Sequence, residues 1–385
     1  MRAAAILSLL LIAAPLAAQG TVSGQGYGYP PGALGTRTQG AGGSLEQFDE
    51  ETPTNPAALM RWGQPGLHFQ YDPEFRTVTA AGASDVRTVV GRFPVIVAAI
   101  PVGSRASLAL SISTLLDRTY QTTSIARRLV GAESLYVTER LRADGGMNDI
   151  RIAGAFGVTK WLNVGVALHA ITGQNQVVQT ASVQSTDPAL GDSTGGRFAA
   201  YDVTLGFRGT AISAGADFHP TRTLALAVSA RKGGTLRTLR ADSAGNDSTV
   251  TSARVPDKWG IGLRYTGIPG TVLAANVGWD GWSSLQSLGQ QATARDGYTY
   301  AVGGETRGPR FIGNVTTVRV GARLRTLPYL AAGSDVRERT LAAGFGLPFA
   351  YDRASMNFSA QNAVRTAGSS RETAWTIGIG LTVRP

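Results

Sequence analysis

His68, His169 and His219 are the only histidines in the 385-residue chain, and it has no cysteine. That narrows the chemistry. There is no cysteine nucleophile and no thiolate ligand, and three scattered histidines give no metal-ligand spacing. Ester hydrolysis would need a serine held against a histidine. Two places along from His68 and His169 stand Gln70 and Ile171, and His219 adjoins Pro220 in a turn. Only a serine from a neighbouring strand would complete such a pair, and a histidine on an inward face is more often a hydrogen-bonded filler than a base. The sequence therefore reads as a non-enzyme with no catalytic residue, no metal and no cofactor. Gly24-Gln25-Gly26 follows no strand and opens no helix, so it is no nucleotide loop.

The remaining candidates are cations at alternating positions: Arg151, Arg231, Lys258, Arg264, Arg319 and Arg323. By strand parity all six face one side, read as the inside. A guanidinium there can hold the carboxylate of an amphipathic ligand, or can pair with a wall carboxylate as part of a structural ladder. Pairing is the preferred reading for any single residue; two or three left unpaired would favour the ligand. The net charge is +10, from 36 Lys+Arg against 26 Asp+Glu. The excess is scattered arginine with no basic block interleaved with aromatics, which argues against nucleic acid. A charged pore lining or a layer of anionic headgroups fits better.

The elements that must position these residues have period two. Leu67, Phe69 and Tyr71 alternate with His68 and Gln70; Leu162, Val164, Val166 and Leu168 alternate with Asn163, Gly165, Ala167 and His169. Trp375, Ile377, Ile379, Leu381 and Val383 alternate with Thr376, Gly378, Gly380, Thr382 and Arg384. Successive strand residues point to opposite faces, so each run has one apolar face. The chain is 43% hydrophobic but only 16% charged, where a soluble chain carries about 25%. Apolar residues spread by alternation suit a barrel with one face in lipid. Tyr201, Val203, Leu205 and Phe207 share a parity that flips at Ile212, Ala214, Ala216 and Phe218, which predicts a bulge across Arg208-Gly209-Thr210. Short turns contrast with long polar connections at 173–196, 238–252 and 287–308, and Trp161, Trp259, Trp279, Trp282, Tyr120 and Tyr265 read as interfacial girdles. The count is about 14 strands, with 321–335 needing a turn and a short strand around Pro328. A secreted β-sandwich is the rival fold.

Two segments precede the strands. Met1-Arg2, the apolar run to Leu16 and the small residues Ala17, Ala18 and Gly20 have the order of a secretory leader, expected over 1–18. Residues 32–59 carry Gly32, Gly35, Gly40, Gly42 and Gly43, then Glu46, Asp49, Glu50 and Glu51, then Asn55-Pro56-Ala57. This composition suits neither a packed helix nor a regular strand. It is expected to fold back into the bore as a plug, its acidic run facing inward arginines, with Asn55 and Pro56 fixing where it ends.

Three patches resemble the FadL family of outer-membrane transport proteins. Gly40-Ala41-Gly42-Gly43 with Asn55-Pro56-Ala57 is similar to the family's hatch. Val255-Pro256-Asp257-Lys258-Trp259-Gly260-Ile261-Gly262-Leu263-Arg264-Tyr265 leads into Trp279-Asp280-Gly281-Trp282-Ser283, and Val318-Arg319-Val320-Gly321-Ala322 follows. The chain departs from such barrels in ending Val383-Arg384-Pro385, without a terminal aromatic residue. The resemblance implies a hatch over 19–64 and a transmembrane barrel over 65–385 in the outer membrane of a Gram-negative-type bacterium. It implies passive uptake of a hydrophobic or amphipathic small molecule such as a fatty acid, among outer-membrane lipids. The alternative is a non-transporting barrel of the same type that docks a partner in secretion or surface assembly. Oligomeric state is left open.

Overall fold

The computed structural model describes residues 27–79, 86–130, 133–185, 196–241, 247–288, 294–311, 313–331, 333–351, 353–368 and 370–384. The expected leader lies outside them. Among these residues the strands are β1 (Gly66–Thr79), β2 (Val86–Arg92), β3 (Val95–Val102), β4 (Ala106–Asp117), β5 (Tyr120–Val130), β6 (Glu133–Thr159), β7 (Leu162–Ser185), β8 (Gly196–Phe218) and β9 (Leu224–Ala241). There follow β10 (Asp247–Arg254), β11 (Lys258–Tyr265), β12 (Thr271–Asp280), β13 (Gly297–Phe311), β14 (Asn314–Ala331), β15 (Ser334–Phe349), β16 (Ala354–Ala367) and β17 (Ser370–Val383). Three pairs of segments continue one another, β2 with β3, β4 with β5 and β10 with β11, so the wall has 14 staves. All pairings are antiparallel, and β1 closes the ring against β17 from Leu67↔Val383 to Thr79↔Arg371. A closed ring excludes the sandwich.

Alternation decides which side chain meets what. On β1, His68, Gln70, Asp72, Glu74 and Arg76 are buried inside, while Leu67, Phe69 and Phe75 are exposed outside. Leu168 and Leu341, 67% and 69% exposed, belong to the same outward belt. A greasy outer face around a polar interior is the pattern of a wall standing in lipid.

Several details differ from the sequence reading. On β8 the inward parity never changes: Val203, Phe207, Ala211 and Ser213 are all buried. What changes is where the apolar residues sit. Near one end of the barrel they point inward, into a cluster with Tyr27, Met147, Leu236, Trp282, Leu285 and Tyr329. The register shift falls in the β8–β9 pairing, where Gly209↔Leu236 gives way to Ala211↔Gly233, so the extra residue is on β9. Trp282 is buried in that cluster and is no girdle residue. The turn expected within 321–335 falls at its far end, between β14 and β15, and among the described residues there is no separate short strand: β14 runs through Pro328, which sits in a register irregularity between Thr326 and Leu330. Much of the expected long connections is strand, because β7, β8, β9 and β13 extend into them.

Residues 27–62 bond to inward-facing residues of the wall. They include one short helix, α1 (Thr36–Gly40), where none was expected, and a 3-10 helix, Pro56–Arg61. Glycine permits the packing of backbone on backbone. A Cβ on Gly42 would meet Gly321 Cα at 2.9 Å, and one on Gly321 would overlap Ala41. Gly321→Val should therefore destabilise the folded barrel by about 1–3 kcal/mol, the usual cost of overpacking, and expose 40–47 to protease. Urea unfolding in detergent checks this, with Gly278→Ala as a control whose added methyl meets only ordinary contacts.

Candidate functional site

Segment 27–62 touches strands all round the ring. Gln39 Nε2 donates to Asp72 Oδ2 on β1 at 2.5 Å, and Ser359 Oγ on β16 donates to Gln39 Oε1 at 3.0 Å. Arg37 bonds Glu305 on β13, and Arg61 bonds Asp217 on β8. Asn55 does two jobs. Its Oδ1 accepts from Ala57 N at 3.0 Å, capping the 3-10 helix that Pro56 opens, and its Nδ2 donates to Gln47 O at 3.0 Å. Gly215 of β8 leaves the space Asn55 occupies, and Gly165 of β7 does the same for the Pro56–Ala57 backbone. Gly40 lies on Gly344 of β15, and Gly43 turns the chain with φ 93°.

The acidic run divides. Glu46 takes Lys258 Nζ at 2.8 Å and Asn276 Nδ2 at 3.2 Å. Glu50 pairs with Arg37 at 3.4 Å, and Glu51 accepts from Thr382 Oγ1 at 2.5 Å. Asp49 accepts from Thr38 Oγ1 at 2.6 Å. The main wall cation on this run is thus a lysine. Burial pushes the Glu46 carboxyl up, but Lys258, Thr54 and Arg323 more than offset it, and the net direction is down.

The six predicted cations are all on inward faces. Four are paired: Lys258 with Glu46, Arg319 with Glu305 at 3.1 Å, Arg323 with Glu338 at 3.5 Å, and Arg231 with Asp149 at 3.4 Å. Arg323 nonetheless keeps Nε and Nη1 free, and the other two keep free donors as well. Arg151 Nε and Nη1 and Arg264 Nε have no hydrogen-bond partner, although the Arg264 guanidinium lies 5.2 Å over the Phe48 ring.

Sequence reasoning missed the strongest anchor. Tyr29 N donates to Asp117 O at 2.6 Å, and Asp117 N donates back to Tyr29 O at 2.9 Å. Its hydroxyl is shared by Glu338 (2.8 Å), Arg365 (2.7 Å) and Arg325. Arg76, Arg92, Arg325 and Arg365 all stand over its ring. Asp117 is where the wall parts. Staves β3 and β4 are zipped from Val102↔Ala106 to Val95↔Ser113. Beyond that β2 pairs with β1 and β5 with β6, and among the described residues no pairing joins β2 to β5. A hollow of about 460 Å³ lies at the parting, lined among others by Val90, Phe93, Asp117, Thr119 and Gly146. A second cavity of about 100 Å³ lies between the segment and the wall, lined by Pro31, Leu34, Glu46, Leu115, His169, Arg231 and Trp282 among others.

Comparison with protein-family models gives no match, and neither does comparison with curated proteins. Solved structures do match. A Pseudomonas aeruginosa FadL homologue is 14% identical, with a TM-score of 0.62 over 93% of this chain and 99% of that one. The fold is that of the FadL-type barrels. The Ralstonia pickettii toluene transporter TbuX has it at 15% identity and TM-score 0.58, over 92% of this chain and 98% of that one. So does the CymD monoaromatic hydrocarbon channel, at 15% identity and TM-score 0.56, over 92% and 98%.

In this FadL-type barrel the Glu46–Lys258 contact should be sensitive to acid. Folding favours the Glu46 carboxylate, so its contribution is complete above the ordinary glutamate value of 4.5 and fades as pH falls below it. Protease protection of residues 36–59 should weaken below that pH, and Glu46→Gln should flatten the dependence.

Proposed function

We propose that the chain is a passive outer-membrane channel for a hydrophobic or amphipathic small molecule, such as a fatty acid or a small aromatic compound. Residues 19–64, of which 27–64 are described, act as the hatch, and 65–385 as the barrel. Gly40, Gly42 and Gly43 let the hatch lie flat on the wall, and Asn55, Pro56 and Ala57 fix its end. The carrying observation is the parting between β2 and β5, with Tyr29 of the hatch bonded to its edge. A ligand that reaches the interior apolar cluster has a route into the bilayer without crossing the whole bore. Partition of apolar surface supplies the driving force, roughly 25 cal/mol per Å². Arg151 and Arg264, with donors to spare, offer a place for a ligand carboxylate. CymD, a monoaromatic hydrocarbon channel, and TbuX, a toluene transporter, share the fold and support the same reading.

Liposomes containing the folded protein should take up a labelled fatty acid or toluene faster than protein-free liposomes. Thr119→Trp, which fills the hollow at the parting, should return the rate to that background while leaving the barrel folded. Uptake no faster than background by the folded wild type would end this reading.

A further inference from the structure

His169 has the surroundings of a catalytic histidine. Its Nδ1 lies 2.9 Å from both carboxylate oxygens of Asp149, and its Nε2 lies 2.8 Å from Ser213 Oγ. The three residues stand on consecutive staves β6, β7 and β8. Because Arg151 faces His169 and Ala167 faces Ser213 across the ladders, the contacts run diagonally, from Asp149 through His169 to Ser213. All three are buried and line the cavity of about 100 Å³ against the hatch. A filler histidine needs one partner for each nitrogen. Here the carboxylate is on one nitrogen and a serine hydroxyl on the other, the order in which a carboxylate fixes the tautomer and the far nitrogen takes a hydroxyl proton. Arg231 faces Ser213 across the β8–β9 ladder and lines the same cavity, beside Lys258 on β11. Arg231 Nη1 lies 3.4 Å from Asp149 Oδ2 and its Nε donates to Pro256 O at 3.3 Å, so its charge supports the Asp149 carboxylate while standing on the same side as a carbonyl oxygen that would become anionic over Ser213.

We propose that Ser213, His169 and Asp149 form a nucleophilic site that hydrolyses carboxylic esters of small apolar acids inside the barrel. Ser213 Oγ adds to the ester carbonyl carbon as its proton passes to His169 Nε2. The carbon–oxygen bond to the alcohol then breaks, and the alcohol leaves with that proton. Water adds to the acyl carbon and gives a proton to Nε2; the bond to Ser213 breaks, its oxygen recovers the proton, and the carboxylic acid is released. Asp149 is a positioning residue that holds the ring and stabilises its cationic form. The volume of about 100 Å³ is below the roughly 150 Å³ of an apolar cavity that accommodates benzene, so the acyl group must be smaller than benzene.

The test uses the full folded barrel in detergent, with folding read by heat-dependent gel mobility. A fluorophosphonate probe should form an adduct that peptide mass mapping places on Ser213. Ser213→Ala should abolish it, and His169→Gln should slow it by about 10²-fold or more, as for loss of a general base. With p-nitrophenyl acetate, Asp149→Asn should lower kcat while leaving KM unchanged. No adduct at Ser213 in folded wild type under saturating probe, or equal labelling in folded His169→Gln, overturns the proposal. The wild-type adduct map decides alone if a variant fails to fold. Liposome uptake is a separate readout, so loss of one reading leaves the other standing.

Discussion

An irregular chain segment buried against the inner face of a wall must satisfy its polar groups without bulk water, and this requirement organises that face. A buried amide or carboxylate without a partner costs several kcal/mol in an apolar setting, so the wall must be polar wherever it meets a polar side chain of residues 27–62. It supplies Asp72, Asp217, Lys258, Asn276, Glu305, Ser359 and Thr382, each bonded to a residue of the segment. Where side chains would hold the two apart, glycine stands on both sides, as at Gly42 and Gly321. The polar lining and the inward glycines both follow from housing that segment.

The same requirement links the segment to the break in the wall. Parting two staves leaves backbone groups without a ladder partner. At Asp117 the backbone of Tyr29 takes them up. Tyr29 is held in turn by a buried network in which Glu338 meets Arg323, Arg325 and Arg365, and Glu74 meets Arg76, Arg92 and Arg365. Removing one member of such a network strands the others, which makes it costly to break and resistant to gradual loosening. The Tyr29 end of the segment is therefore fixed to the edge of the parting.

The barrel was legible in the sequence because lipid and lumen impose opposite demands on alternate residues, so Leu162 to His169 reads directly as a wall. The inward placement of all six chosen cations followed from the same parity. Parity failed as a guide to content on β8, where Val203 and Phe207 turn inward to line an apolar interior; alternation shows that a face is greasy and not which side it is on. Pairing was less legible. Asp149, His169 and Ser213 are far apart in sequence and meet only through register across three staves, so a search along one strand passed over them. Tyr29 carried no local signal at all. Glu74-x-Arg76 and Arg323-x-Arg325 did carry one, since charges two apart on a strand share the inner face.

Hydrogen–deuterium exchange of the protein reconstituted in lipid, read over residues 36–59, tests most directly whether this segment is held in the bore. Exchange should be far slower than in an unstructured peptide of the same sequence, with protection lost together when Glu46 and Asn55 are both replaced by alanine. Exchange at the unstructured rate in folded wild type would contradict this expectation.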